Sequence, residues 1–151
     1  MVAVVDKNNK PLMPTSEYRA RRLLKAGRAV IHKYRPYFTI RMVDQEGGAV
    51  QSVEYKSDTG YYHVGISICS EANECVSMQT DMLANEKEKH NDCRKNRRTR
   101  RAKIRYHKPR FDNRKKPEGW LPPSLEHKVE NQVYLFNEAC KVFPVTSAVF
   151  E

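Results

Sequence analysis

The sequence has no cysteine pair at metal-ligand spacing. Cys69, Cys75, Cys93 and Cys140 form no CxxC, which argues against a structural zinc site and leaves Cys140 as an apolar helix-face residue. There is no Gly-rich phosphate loop, no GxSxG and no HExxH. That excludes the commonest nucleotide-binding, serine-hydrolase and zinc-protease patterns. No run is apolar enough for a signal peptide or a membrane span, so the expected setting is a reducing cytoplasm with no membrane partner. The histidines (32, 63, 90, 107 and 127) are scattered and read as surface or satisfied residues. Apolar content is 39%, enough for a modest core only.

Acid is nearly missing from residues 94–116. That stretch, RKNRRTRRAKIRYHKPRFDNRKK, holds thirteen Lys or Arg against one acid, Asp112, in a chain of net charge +10. Such a density is costly to hold together without a polyanion. Nucleic-acid phosphate is the usual partner, because each neutralised phosphate releases a condensed counterion. Arginine outnumbers lysine, which suits bidentate phosphate contacts and stacking on bases. The charge is blocky. Residues 1–45 carry ten basic against three acidic side chains, and 46–93 carry three against nine. Two basic surfaces therefore flank an acidic segment.

No Gly or Pro interrupts residues 81–106. A helix over about 82–106 is expected, with Asp81 as its cap and the arginines in its later turns. At 1.5 Å per residue it would span about 35–40 Å. Its apolar content is thin, so a partner must hold it or it must bridge units. Pro109 sets its latest possible end.

Local patterns divide the rest. Val2 to Val5 reads as a buried strand and residues 7–14 as turn and irregular chain. A helix follows, capped by Thr15 or Ser16 and ended by Gly27, with Tyr18, Leu23 and Leu24 on its apolar side. Arg19, Arg21, Arg22 and Lys25 line the other side. Strands over 28–33 and 37–43 complete a βαββ unit. From Ala49 the chain becomes extended and hairpin-linked: a strand ending at Asp58, a turn at Gly60, a second strand through Val64, Ile66 and Ile68, and a third strand or strand-to-helix passage over 74–82. Residues 108–123 are irregular. A helix over 124–143 is expected, capped by Ser124, with Leu125, Val129, Val133, Phe136 and Cys140 as its apolar stripe. Residues 145–151 read as a buried strand ending in Glu151. The class is α+β or α/β.

Several motifs, in order, resemble the IscB family of transposon-encoded, RNA-guided nucleases across essentially all 151 residues. Pro11-Leu12-Met13-Pro14 looks like the motif that names the family's PLMP domain. SDTGYYHVGISI, from Ser57, is similar to the first RuvC-like motif, with Asp58 at the catalytic aspartate position. RKNRRTRRAKIRYHKPRFDNR, from Arg94, resembles the arginine-rich bridge helix and its continuation. GWLPPSLEHKV, from Gly119, is similar to the lead into the next helix. VTSAVFE resembles the second RuvC-like motif, with Glu151 at the catalytic glutamate position.

The resemblance implies a PLMP-like domain over 1–47 and a partial RNase H-like (RuvC-like) domain in two parts, 48–80 and 123–151. The arginine-rich helix and its irregular basic tail, 81–122, would interrupt it. In the RNase H architecture the first and fourth strands lie side by side, which would bring Asp58 and Glu151 together to hold Mg²⁺, with Mn²⁺ possible. Arg94, Arg97, Arg98, Arg100, Arg101, Lys103, Arg105, Arg110 and Arg114, with Arg19 and Arg22, would grip a structured guide RNA of the omega type and target DNA in a prokaryotic cytoplasm. The family's HNH domain, third RuvC-like motif and C-terminal domain do not occur in these 151 residues. The expectation is thus an N-terminal portion that does not cleave by itself and is completed by the remainder of the enzyme. The alternative is a basic RNA-binding module without catalysis, in the manner of a ribosomal protein.

Overall fold

The computed structural model describes residues 1–83, 85–106 and 116–151. Among them the chain is α+β, with two mixed four-stranded sheets and three helices. The first sheet has strand order β2-β1-β4-β3, formed by β1 (Val2–Val5), β2 (Pro11–Thr15), β3 (Ala29–Lys33) and β4 (Thr39–Met42). Helix α1 (Glu17–Lys25) lies between β2 and β3 in sequence. The strand β2 was not legible as one: Pro11 and Pro14 signal irregular chain. It forms because β2 is an edge strand, where a residue without an N–H costs the ladder nothing on its open side. The unit is therefore ββαββ.

The second sheet has order β7-β6-β5-β8, from β5 (Val53–Thr59), β6 (His63–Ser70), β7 (Glu74–Asp81) and β8 (Val145–Phe150). β5, β6 and β7 form an antiparallel meander. β8 pairs with β5 in parallel, so the first and fourth strands are neighbours, as expected. Alternation splits β5 cleanly: Val53, Tyr55 and Ser57 are buried, and Lys56 and Asp58 are exposed.

Helix α3 (Pro123–Val142) is the layer between the two sheets. Its buried Leu135, Ala139 and Val142, with Phe143, share one core with Val53, Tyr55, Val64, Ile66 and Ile68 of the second sheet and with Ala3 and Tyr37 of the first. Tyr37 donates to the Leu135 carbonyl at 3.2 Å and meets the Phe143 ring edge-on. On the other face of the first sheet, Val2, Val4, Leu12, Ile40 and Met42 pack under Ala20, Leu23 and Leu24 of α1. The layers run α1, first sheet, α3, second sheet.

Burial between two sheets changes which side of α3 is covered. The expected stripe is not the buried one: Leu125, Val129, Val133 and Cys140 are exposed, and only Phe136 of that set packs on the core. Lys128 and Glu138 are buried instead. Glu138 is neutralised by Lys33 of β3 and by Lys141 at 2.8 Å. Ser124 does not cap α3. Pro123 occupies the first turn after Pro122, where its fixed φ is already helical and its missing N–H would have had no partner.

Helix α2 (Glu86–Ala102) is shorter than expected at both ends. Asp81 stays in β7, and Met82 is buried with its N–H bonded to the Tyr62 carbonyl at 2.6 Å. Leu83 has φ 45°, so the chain turns before the helix starts. Lys103 and Arg105 follow the last helical turn. Among the described residues no helix is long and apolar enough to cross a membrane.

Candidate nucleic-acid interface and acidic site

Helix α2 buries none of its residues. Arg94, Arg97, Arg98 and Arg100 are exposed and Arg101 is half-buried; Lys103 and Arg105 extend the exposed series beyond the helix. Glu86 and Glu88 sit in the first turn and Arg100 and Arg101 in the last, each sign at the helix end that its dipole favours. Only one ion pair among the described residues involves the basic run, Lys95 with Asp92 at 3.8 Å. Asn91, Arg94, Lys95 and Arg98 enclose a shallow hollow of ≈ 300 Å³ on one face. Like charges three and four residues apart destabilise an isolated helix. Among the described residues this surface therefore carries a dense positive charge with almost no acid to offset it. Arg110 and Arg114 lie outside the described residues.

A second basic surface lies on α1. Ser16 caps the helix, accepting from the Arg19 N–H at 3.3 Å, and Gly27 follows it with φ +70°. Arg21 pairs with Glu17 at 3.2 Å, and Arg28 pairs with Asp44 at 2.7 Å. The Arg28 guanidinium holds the Asp44 carboxyl below its usual range. Arg19 and Arg22 have no acidic partner among the described residues. Tyr18 does not join the apolar side of α1 as expected. It is 70% exposed, because Ala20, Leu23 and Leu24 already fill the space over the sheet.

The structure brings Asp58 and Glu151 together. Glu151 donates its N–H to the Ser57 carbonyl at 2.9 Å and accepts from the Thr59 N–H at 3.0 Å. The Thr59 hydroxyl donates to the same Glu151 carbonyl. Both carboxylates border a hollow of ≈ 510 Å³ on the face of the second sheet away from α3, with Lys56, Gly65, Ser67 and Gln79. Gly65 stands opposite Asp58, and its missing side chain leaves the space beside that carboxylate open. Lys56 is engaged by Glu54 at 3.0 Å, which raises its pKa.

Two carboxylates suit a hard divalent cation in donor type, but such a cation takes about six oxygen ligands. Among the described residues no three His, Cys, Asp or Glu side chains are grouped to hold a metal. The remaining ligands would have to be water or phosphate oxygens.

Two other constellations were not legible in the sequence. His63 Nδ1 lies 2.7 Å from Asp81 Oδ1, and this contact, with Gln79 behind it, lowers the Asp81 pKa. The pair is 18 residues apart in sequence and becomes a neighbour only through the β6–β7 register. Lys128 of α3 is buried with Nζ 3.1 Å from the Tyr61 ring centroid and 3.7 Å from Glu86 Oε2. A lysine on a helix next to apolar residues gives no signal of its own.

No curated protein matches the chain. A protein family does match, over residues 2–151, under the description RRXRR protein. Arg97-Arg98-Thr99-Arg100-Arg101 reads as that pattern at the exposed end of α2. With the match covering nearly its whole length, the chain belongs to the RRXRR protein family.

Proposed function

We propose that this chain is the nucleic-acid-gripping portion of an RNA-guided, metal-dependent DNA nuclease of the IscB type. The family's association with RNA-guided nuclease systems supports the class. The observation that carries the reading is α2: a seventeen-residue helix with no buried residue, whose arginines have no acidic partner among the described residues. Such a helix gains its stabilising contacts from phosphate. It would follow the backbone of a structured guide RNA and of the guide–target heteroduplex, so that base pairing reads sequence while the protein reads shape. In this reading residues 1–47 form the PLMP-like unit, 48–80 and 123–151 the two RuvC-like parts, and 81–122 the bridge between them.

Asp58 and Glu151 would hold Mg²⁺ or Mn²⁺ from adjacent strand ends. Bound there, the ion would supply a polarised water and neutralise charge on the scissile phosphate. The chain's own contribution is to hold two carboxylates side by side on one open face, with Gly65 leaving room for the phosphate. With only two such ligands grouped among the described residues, cleavage would need further ligands. That same observation favours a second reading, an RNA-binding module that does no chemistry.

The test is a salt titration of binding to structured RNA. Replacing Arg97, Arg98, Arg100 and Arg101 with Gln should weaken binding and flatten the log–log salt slope by roughly 0.7 to 0.9 for each lost phosphate contact. An unchanged slope would refute the assignment to α2. Incubation with guide RNA, target DNA and Mg²⁺, beside Asp58→Ala, separates the two readings. Cleavage lost in that variant would reject the non-catalytic one.

A further inference from the structure

We propose that α1 carries a separate binding site for an unpaired nucleotide, with Tyr18 as the stacking platform and Arg19 and Arg22 as the phosphate contacts. The proposal rests on the nucleic-acid-binding reading above and deepens it. An isolated exposed aromatic is ordinary on a protein surface. Tyr18 is not isolated. It borders a hollow of ≈ 440 Å³ walled by Arg19, Arg22, Leu23, Ala26 and Arg28, within the roughly 300–1,000 Å³ usual for small-ligand sites.

The chemistry of the walls is that of a nucleotide. The Arg22 guanidinium carbon lies 5.9 Å from the Tyr18 ring centroid, so ring and cation present one continuous surface. Leu23 and Ala26 give the apolar floor on which a base edge can rest. Of the charges, Arg28 is engaged by Asp44, whereas Arg19 and Arg22 have no acidic partner among the described residues. Arg19, Leu23 and Arg28 also wall an adjoining hollow of ≈ 280 Å³ that runs towards Leu12 and Met13 of β2. A chain of nucleotides therefore has somewhere to continue. A duplex does not fit this chemistry, because its bases are already stacked and only phosphate would be in reach. Stacking on an aromatic ring needs a base splayed out of a helix.

The site is read apart from α2 by working in the full-length chain with Arg97, Arg98, Arg100 and Arg101 changed to Gln. The probes are oligoadenylate octamers carrying one 2-aminopurine, made as RNA and as DNA, and a blunt duplex of the same length. Binding of the single strands should quench 2-aminopurine fluorescence. Tyr18→Leu should abolish the quenching and weaken affinity by about five- to 150-fold, the equivalent of about 1–3 kcal/mol per stacked base. Tyr18→Phe should behave as the parent. Arg19→Gln with Arg22→Gln should keep the quenching and make the salt slope shallower by about 1.4. Tyr18 is exposed, so these variants should keep the parent circular dichroism. Equal response to RNA and DNA identifies a sugar-blind site, and a response to RNA alone identifies a 2′-hydroxyl contact. Duplex bound as tightly as single strand, or quenching that survives in Tyr18→Leu, overturns the proposal. If the unmodified chain binds no nucleic acid at all, the functional reading itself fails, and not this site alone.

Discussion

Glu151 is bonded across to both chain neighbours of Asp58: its N–H reaches the Ser57 carbonyl at 2.9 Å, and its own carbonyl accepts from the Thr59 N–H at 3.0 Å. Residues so paired in parallel strands send their side chains to the same face. The two side chains therefore leave neighbouring positions on the same face of the sheet. Adjacent like charges are relieved by a cation, so Mn²⁺ should bind, weakly, with water completing its shell. Water-proton relaxation should register the binding. Asp58→Asn and Glu151→Gln should each abolish it, whereas His63→Gln, at the next pair along the sheet, should not. Binding unaffected by Asp58→Asn would place the ion elsewhere.

The root of α2 is held by one buried cation. Lys128 Nζ lies over the Tyr61 ring at 3.1 Å, has Glu86 Oε2 at 3.7 Å and, among the described residues, has no hydrogen-bond partner. Tyr61 in turn donates to Glu86 Oε2 at 3.3 Å, in the first turn of α2. A desolvated cation over an aromatic face is stabilised by about 2 kcal/mol. Removing the ring takes the aromatic face from the buried ammonium and leaves it Glu86 alone, whereas Tyr61 is 56% exposed and stays solvated when the ammonium is removed. Tyr61→Leu should therefore cost about 2 kcal/mol in urea unfolding, and Lys128→Met much less. The double variant should be more stable than Tyr61→Leu alone, because no buried ammonium is then left without its aromatic face. Strictly additive losses would show that the two side chains are not coupled.

These couplings also mark how far the sequence could be read. Local signals found the strand ends of Asp58 and Glu151, the capping position to within Thr15 or Ser16 and the stop at Gly27, because each depends on residues a few positions away. The sequence did not reveal which faces are covered. Leu125, Val129 and Val133 have the periodicity of a buried stripe, yet α3 is covered by two sheets on other sides. Tyr18 belongs to the apolar face of α1 by spacing and is displaced from it by Leu23 and Leu24. β2 is a strand because β1 offers it an edge, a long-range fact that Pro11 and Pro14 conceal. The adjacency of the acidic pair was legible only through the family resemblance, since 92 residues separate Thr59 from the carbonyl of Glu151 that it binds.

Asp6 gives the fold an acid-sensitive joint. Its fully buried carboxylate accepts the N–H groups of Asn8 and Lys10, both at 2.8 Å, and of Gly47 at 3.1 Å. Burial works to raise its pKa, but these donors outweigh it, and the folded value falls below the ordinary 3.8. A depressed carboxyl stabilises the fold above its unfolded value and loses that contribution as pH drops through the folded one. Asp6→Asn should therefore lower the melting temperature at pH 7. The gap from the parent should close as pH falls below about 4. Thermal unfolding followed by circular dichroism at several pH values measures this, and a gap that stays constant down to pH 2.5 would rule it out.

The turn that follows Asp58 should tolerate no side chain at Gly60, while the strand opposite should tolerate one at Gly65. A Cβ on Gly60 would lie 2.3 Å from the His63 carbonyl oxygen, a backbone atom that cannot swing aside. A Cβ on Gly65 would lie 3.7 Å from the Asp58 Cβ, an ordinary contact. Gly60→Ala must therefore shift the hairpin between β5 and β6, and with it the Thr59 N–H that holds Glu151. Overpacking of this kind costs about 1–3 kcal/mol. Gly65→Ala restricts the unfolded chain at a position without strain, which is worth about 0.4–1 kcal/mol of stability. Urea denaturation should thus move in opposite directions for the two alanines. Gly65→Leu extends the comparison from fold to site: its side chain would cover Asp58, so Mn²⁺ binding should fall while the unfolding midpoint stays near that of Gly65→Ala. A Gly60→Ala protein as stable as the parent, with its Mn²⁺ binding intact, would mean that this turn does not set the spacing of the two carboxylates.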